Sequence, residues 1–228
     1  MKEKKWVRYG SFVVIILVAY LMLMRSSNTS FIETLTYMYY DKKVQILTII
    51  FLSLIFESFN ILINSYWIST SIFLTFSGII AIVNYEKVQL RNEGFLPSDL
   101  LMLGSWNKII GMVSPILIIA SMITIVIIFF ACYYLLKEIK FNFKWYFKVI
   151  IVLFTLLFGY GLGNSQQKNT IFYTIGHAMG NDPLYLAPVI AVQTNGPIIN
   201  FMNNINVQIM EKPKGYSKGE RKISCVNA

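Results

Sequence analysis

Residues 113–136 read VSPILIIASMITIVIIFFACYYLL, a run of twenty-four residues that contains no Asp, Glu, Lys or Arg. A helix needs about twenty such residues to cross roughly 30 Å of hydrocarbon, so this run spans a membrane. Four further apolar blocks surround it, at 12–24, 46–63, 66–83 and 147–162. Each is long enough to cross once its flanking side chains reach toward the interface or the helix tilts. Composition agrees: 56% of the 228 residues are hydrophobic, 14% are charged, and mean hydropathy is +0.58. A soluble domain does not have that balance. The expected fold is all-α, a five-span transmembrane helical bundle with an interfacial amphipathic helix and an extracellular linker. Residues 1–163 would form the transmembrane domain and 164–228 the linker.

The net charge of +9 is read through membrane topology rather than as a nucleic-acid surface. With the amino terminus inside, the segments 1–11, Asn64-Ser65 and 137–146, with adjacent Lys148, carry eight basic residues against two acidic ones. The two loops on the other side carry six basic against five acidic residues. Positive residues collect on the cytoplasmic side, so the amino terminus is expected inside, and five spans then put the segment after Gly163 outside. Lys2, Lys4, Lys5 and Arg8 before the first block also suit a signal peptide, but Arg25-Ser26-Ser27-Asn28 offers no small-x-small cleavage site. The block is read as an uncleaved anchor.

The chemistry on offer is narrow. Cys132 and Cys225 have neither metal spacing nor a shared setting, and His177 is the one histidine, which excludes multi-histidine metal sites. Ser30-Phe31-Ile32-Glu33 has capping-box spacing, and a helix starting there would run past Tyr37, Tyr39 and Tyr40 into the second span. Those tyrosines fit an interfacial belt. Ser53, Glu57, Asn60 and Asn64 recur at helical spacing, so one face of the second span is polar. An acid in hydrocarbon is protonated, paired or beside water. Glu57 and Asn60 are therefore candidate intramembrane polar residues, for interhelical hydrogen bonding or, in a transporter or channel subunit, for an ion. Gly159 and Gly163 form a small-xxx-small pair suited to close packing.

The most informative segment follows the third span. Continuing that helix past Val83 brings Asn84, Lys87 and Arg91 to one face at the membrane surface, at i, i+3 and i+7. A guanidinium fork and an ammonium there suit a lipid phosphate; plain headgroup anchoring by basic residues is the alternative. Pro97 breaks the chain, Ser98 or Asp99 can cap a new helix, and Leu100, Leu101, Leu103, Trp106, Ile109 and Ile110 make an amphipathic segment for the interface.

Asn84, Lys87, Arg91, Pro97 and Asp99, written N-x-x-K-x-x-x-R followed by P-x-D, resemble the lipoteichoic acid synthase family of Gram-positive bacteria. These are membrane phosphoglycerol transferases of the sulfatase and alkaline phosphatase superfamily. Asn195-Gly196-Pro197 and the stretch Glu211-Lys212-Pro213-Lys214-Gly215-Tyr216-Ser217 resemble the linker that precedes the family's catalytic domain. The resemblance implies a bacterial cell-membrane protein that handles phosphatidylglycerol, with Lys87 and Arg91 on the phosphate and Asn84 and Asp99 orienting the loop. It also implies that the threonine nucleophile and the manganese or magnesium ion belong to a domain beyond the linker. No catalytic residue, metal ligand or cofactor is expected in this chain. The ending after Ser217 departs from the family and reads as a frameshift or premature stop, or as a membrane product that works beside an intact paralogue or another envelope-synthesis partner. A non-catalytic membrane scaffold is the third reading.

Overall fold

The computed structural model describes residues 2–101, 115–139, 144–168 and 170–206. Within them every regular element is a helix: α1 (Lys2–Ser27), α2 (Phe31–Tyr40), α3 (Lys42–Ile63), α4 (Tyr66–Arg91), α5 (Pro97–Leu101), α6 (Pro115–Leu136), α7 (Trp145–Gly163), α8 (Ile171–Ala178) and α9 (Pro188–Asn203). Five of these, α1, α3, α4, α6 and α7, are long and apolar enough to cross a membrane. The chain is a multi-pass membrane protein built as an all-α bundle. Its spanning helices alternate in direction, so one end of the bundle holds the start of α1, the Asn64-Ser65 turn and the α6–α7 connection. This is the proximal end below. The distal end holds 28–41, 92–101 and 164–206.

α1 is the central helix. Ile15, Ile16, Ala19, Tyr20, Leu23 and Met24 are all buried, and they recur at the three- and four-residue steps that line one helical face. They pack with Leu52 and Phe56 of α3 and with Tyr66, Phe73 and Ala81 of α4. Phe56 is the hub, with ring centroids 5.6 Å from Phe12, 5.8 Å from Tyr66 and 5.0 Å from Phe73. α4 approaches through small residues: Ser69, Thr70, Ser71 and Ser77 are buried. The hydroxyls of the first three are returned to carbonyls four residues back, at 2.7, 2.8 and 2.8 Å. Small side chains let helices come close in a membrane, and back-bonding satisfies these three hydroxyls. α6 packs on α4 and α7 on α3, at the periphery.

Several sequence expectations change at the helix ends. The capping box forms, with Glu33 N–H to Ser30 Oγ at 3.1 Å, but α2 does not continue into the second span. Asp41 leaves helical geometry at φ −102°, ψ 39°, and α3 begins anew at Lys42. Asn64 falls off the polar face of α3, because it is the left-handed residue that ends the helix (φ 56°) and it accepts a hydrogen bond from Lys148 Nζ at 3.0 Å. Tyr39 and Tyr40 are exposed, whereas Tyr37 is half-buried and donates its hydroxyl to Gln193 Oε1 at 3.2 Å. The two glycines of the small-xxx-small pair meet different partners, Gly159 facing Phe51 and Gly163 facing Ile205. Of the expected interfacial amphipathic segment only Leu100 and Leu101 lie within the described residues, both exposed. Leu103, Trp106, Ile109, Ile110, Cys225 and the 211–217 stretch lie outside them.

α9 closes the distal end. Its Ile199 joins Val44, Leu47 and Phe51 of α3 and Leu162 of α7 in a second apolar cluster. Gly196 stands at φ 74°, ψ 162° and Pro197 follows, so α9 is two short helices joined at a kink. Pro197 has no N–H to give the preceding turn, and the Gly196 conformation is open essentially to glycine alone. Asn195-Gly196-Pro197, read from sequence as part of a linker, is buried in the bundle. Beside it, Asn181 and Asn203 exchange amide hydrogen bonds at 2.9 and 2.7 Å, with Ser165 and Gln166 joined to the same pair.

Candidate functional site

The distal corner of α4 is built by its length. Twenty-six residues at 1.5 Å each give about 39 Å, more than the hydrocarbon thickness, so the helix is long enough for its last, polar turns to reach past the hydrocarbon. Asn92, left-handed at φ 54°, ends the helix with its N–H on the Val88 carbonyl at 3.2 Å. The chain then turns back through 93–96 into α5, where Pro97 occupies the first helical position and its missing N–H costs nothing.

Asn84 is fully buried and uses three hydrogen-bonding sites. Its Nδ2 donates to Ser26 Oγ at 3.0 Å and Ser27 Oγ at 3.2 Å, and its Oδ1 accepts from the Phe95 N–H at 2.9 Å. One side chain thereby joins the end of α1, the last turns of α4 and the returning loop. One turn on, Lys87 Nζ donates to both oxygens of Asp99, at 3.0 and 2.9 Å, and lies 3.3 Å from Glu93 Oε1. Asp99 Oδ2 also accepts the Leu96 N–H at 2.8 Å. Asp99 is the third residue of α5 and reaches back to the residue before it, the acidic half of a capping box. Lys87 and Asp99 side chains are 13% and 18% exposed, so this ion pair is largely withdrawn from water.

Arg91 differs. Its side chain is 56% exposed, and its nearest carboxylate oxygen, on Glu93, is 3.9 Å away. The four residues singled out in the sequence thus come together at one corner, sorted by depth: Asn84 inside, Lys87 and Asp99 at the boundary, Arg91 outward. With Glu93 included, two cations face two carboxylates and the corner is electrically balanced. Four contributors, in three places, carried weak sequence signals. Glu93 was one acid in a mixed loop, and Ser26 and Ser27 stood out only for what they lack at a cleavage site. Gly94 is the third: a Cβ there would meet Val192 Cγ2 at 2.6 Å and Asn200 Nδ2 at 2.9 Å, so the loop can lie on α9 only with glycine at this position. Phe95 stacks on Phe201 at 5.1 Å and completes the contact.

Glu57 and Asn60 lie on α3 at the proximal end, away from this corner. Glu57 is half-buried and Asn60 fully buried. His177 is exposed on α8 and stacks on Tyr173 at 6.0 Å. Among the described residues no three His, Cys, Asp or Glu side chains are grouped to hold a metal ion. No family model, curated protein or solved structure matches this chain.

Proposed function

We propose that the chain is a membrane domain that receives an anionic glycerophospholipid headgroup, with phosphatidylglycerol as the expected lipid, at its α4–α5 corner. It would serve phosphoglycerol transfer in a bacterial envelope, with the reacting groups carried by another domain or protein. The observation that carries this reading is the contrast between Lys87 and Arg91. Lys87 has its ammonium occupied by Asp99 and Glu93, and Arg91 presents a largely exposed guanidinium at the end of a helix longer than the bilayer core. Arg91 is then the headgroup cation. Asn84, Lys87 and Asp99 hold it at a fixed height.

Because the corner is balanced in charge, attraction rests on the bidentate fork of Arg91 and on its nearness to the lipid surface rather than on a positive field. One basic residue at an anionic surface is worth about 1 kcal/mol, which is a fewfold preference. In this reading the proximal end, with its excess of lysine and arginine, faces the cytoplasm and the corner faces outward.

The test is lipid retention. The full chain is purified from mixed micelles holding equal phosphatidylglycerol and phosphatidylcholine, and the bound lipid is measured by mass spectrometry. Wild type should be enriched about fivefold in phosphatidylglycerol, the size that one basic residue provides. Arg91→Ala should lose the enrichment, and Arg91→Lys should keep part of it. Equal enrichment in wild type and Arg91→Ala would remove the ground for the proposal.

A further inference from the structure

Glu57 and Asn60 are one helical turn apart on the same face of α3, and their buried polar atoms lack partners. Asn60 has no exposure, yet neither its Nδ2 nor its Oδ1 makes a hydrogen bond, and Glu57 Oε2 is buried without one. A buried carboxamide with both ends unmet costs several kcal/mol in hydrocarbon, roughly 1–3 for each group, and inside a bilayer no bulk water relieves it. The set of atoms says what relieves it. Glu57 Oε2 and Asn60 Oδ1 are acceptors and Asn60 Nδ2 is a donor. A bare metal cation would suit the two oxygens and leave the Nδ2–H still without an acceptor. An anion would do the reverse. Water donates to both oxygens and accepts from the nitrogen, so the ligand is protic.

We propose that Glu57 and Asn60 form a proton-binding site, in which water held by the Asn60 carboxamide passes a proton to the Glu57 carboxylate. In the step, hydronium from the proximal side gives its proton to Glu57 Oε2. An O–H bond forms, water is left, and the site goes from −1 to neutral. The new O–H then donates toward Asn60 Oδ1. Six residues separate Glu57 from the end of α3, about 9 Å at 1.5 Å per residue, which is a short path for water.

The groups facing the site come from three neighbours. Arg8 of α1 and Tyr66 of α4 lie within electrostatic reach of Glu57, and the Tyr66 hydroxyl is 3.0 Å from Ser11 Oγ. Lys148 of α7 sits one turn farther along, on Asn64. The contacts of α9 with α3, at Gln45 and around Ile199, are at the opposite end. Protonation of Glu57 removes its attraction for Arg8, so the site sets how firmly α1 and α3 are tied at the proximal end.

Infrared difference spectra of the full chain in detergent, recorded across a pH titration, test this. Subtracting Glu57→Gln isolates one carboxylic C=O band from those of the other acids. That band should shift in deuterated water, and Asn60→Ala should move its titration midpoint by about one pH unit, a size typical when a hydrogen-bonding partner of a carboxyl is lost. Asn60→Leu, which fills the site with apolar volume, covers the case in which the alanine variant is too loose to purify. Two results would overturn the proposal: no band that disappears in Glu57→Gln, or a Glu57 band whose midpoint is the same in wild type and both Asn60 variants.

Discussion

Replacing Asn84 with alanine is the sharpest test of how the distal corner is held. The substitution removes the donations to Ser26 and Ser27 and the acceptor of the Phe95 N–H, from a side chain with no exposure. The losses are unequal. Ser26 Oγ still donates to the Leu23 carbonyl at 2.6 Å, so it loses only an accepted bond. The Phe95 N–H is left without its side-chain acceptor in a half-buried position, which is the dearer loss. At about 1 kcal/mol net per bond, with the unmet backbone donor above that mean, the total is about 3 kcal/mol. That is roughly a hundredfold in the ratio of folded to unfolded protein. Unfolding the chain by titrating its micelles with SDS, followed by tryptophan fluorescence, measures it. Arg91→Ala is the internal reference: an exposed side chain with one 3.9 Å contact should cost under about 0.5 kcal/mol. A cycle combining Asn84→Ala with Ser27→Ala should show coupling of about 1 kcal/mol, because the two share a bond. If Asn84→Ala unfolds as Arg91→Ala does, the buried asparagine holds nothing and the argument for a fixed Arg91 fails with it.

Two further outcomes follow from local geometry. Gly196→Ala should destabilise by about 1–3 kcal/mol, since its φ of 74° and ψ of 162° exclude a side chain and a Cβ would stand 2.9 Å from Met24 Sδ; a thermal melt no lower than that of wild type would contradict the kink as described. Glu33 is held below the usual carboxylate range by the Thr29 hydroxyl and then by the Ser30 backbone N–H. A depressed pKa in the folded state means that its contribution is present above the unfolded pKa and fades as pH falls through the folded one. The protection of the first-turn amides of α2, taken relative to their intrinsic exchange rates at each pH, should therefore fall on acidification below the ordinary glutamate range, and Glu33→Gln should remove that pH dependence.

The spans were legible because hydrophobicity acts over whole turns: twenty-odd apolar residues admit few other fates. α4 was legible past Val83 for a related reason, since Asn84, Lys87 and Arg91 keep helical spacing beyond the end of the apolar block. What fell short was the ending of elements. Asp41 separates two helices by leaving helical dihedral angles, and nothing in its immediate neighbours distinguishes it from a residue inside one continuous helix; the stop at Ile63, by contrast, was legible from the Asn64-Ser65 break between two apolar blocks. The burial of Asn195-Gly196-Pro197 was not legible, because it depends on α1 arriving from a distant part of the chain, where Met24 lies against Gly196.

The corner itself shows why a charge motif underdetermines a binding site. Lys87 and Arg91, four residues apart on one face, read as equivalent cations. The difference between them is made by Asp99, twelve residues from Lys87, once Pro97 has turned the chain and α5 has pointed a carboxylate back at α4. Both oxygens of Asp99 accept from the Lys87 ammonium and Oδ2 also accepts the Leu96 N–H, so the ion pair and the start of α5 form together. Removing Lys87 would leave Asp99 half-buried with only a backbone donor, and removing Asp99 would leave Lys87 to Glu93 alone. Breaking such a withdrawn pair from one side costs about 3 kcal/mol. Lys87 is thus committed to structure by its partner's second bond, and in the proposed reading the headgroup contact falls to Arg91, whose position inherits its precision from the brace beneath it.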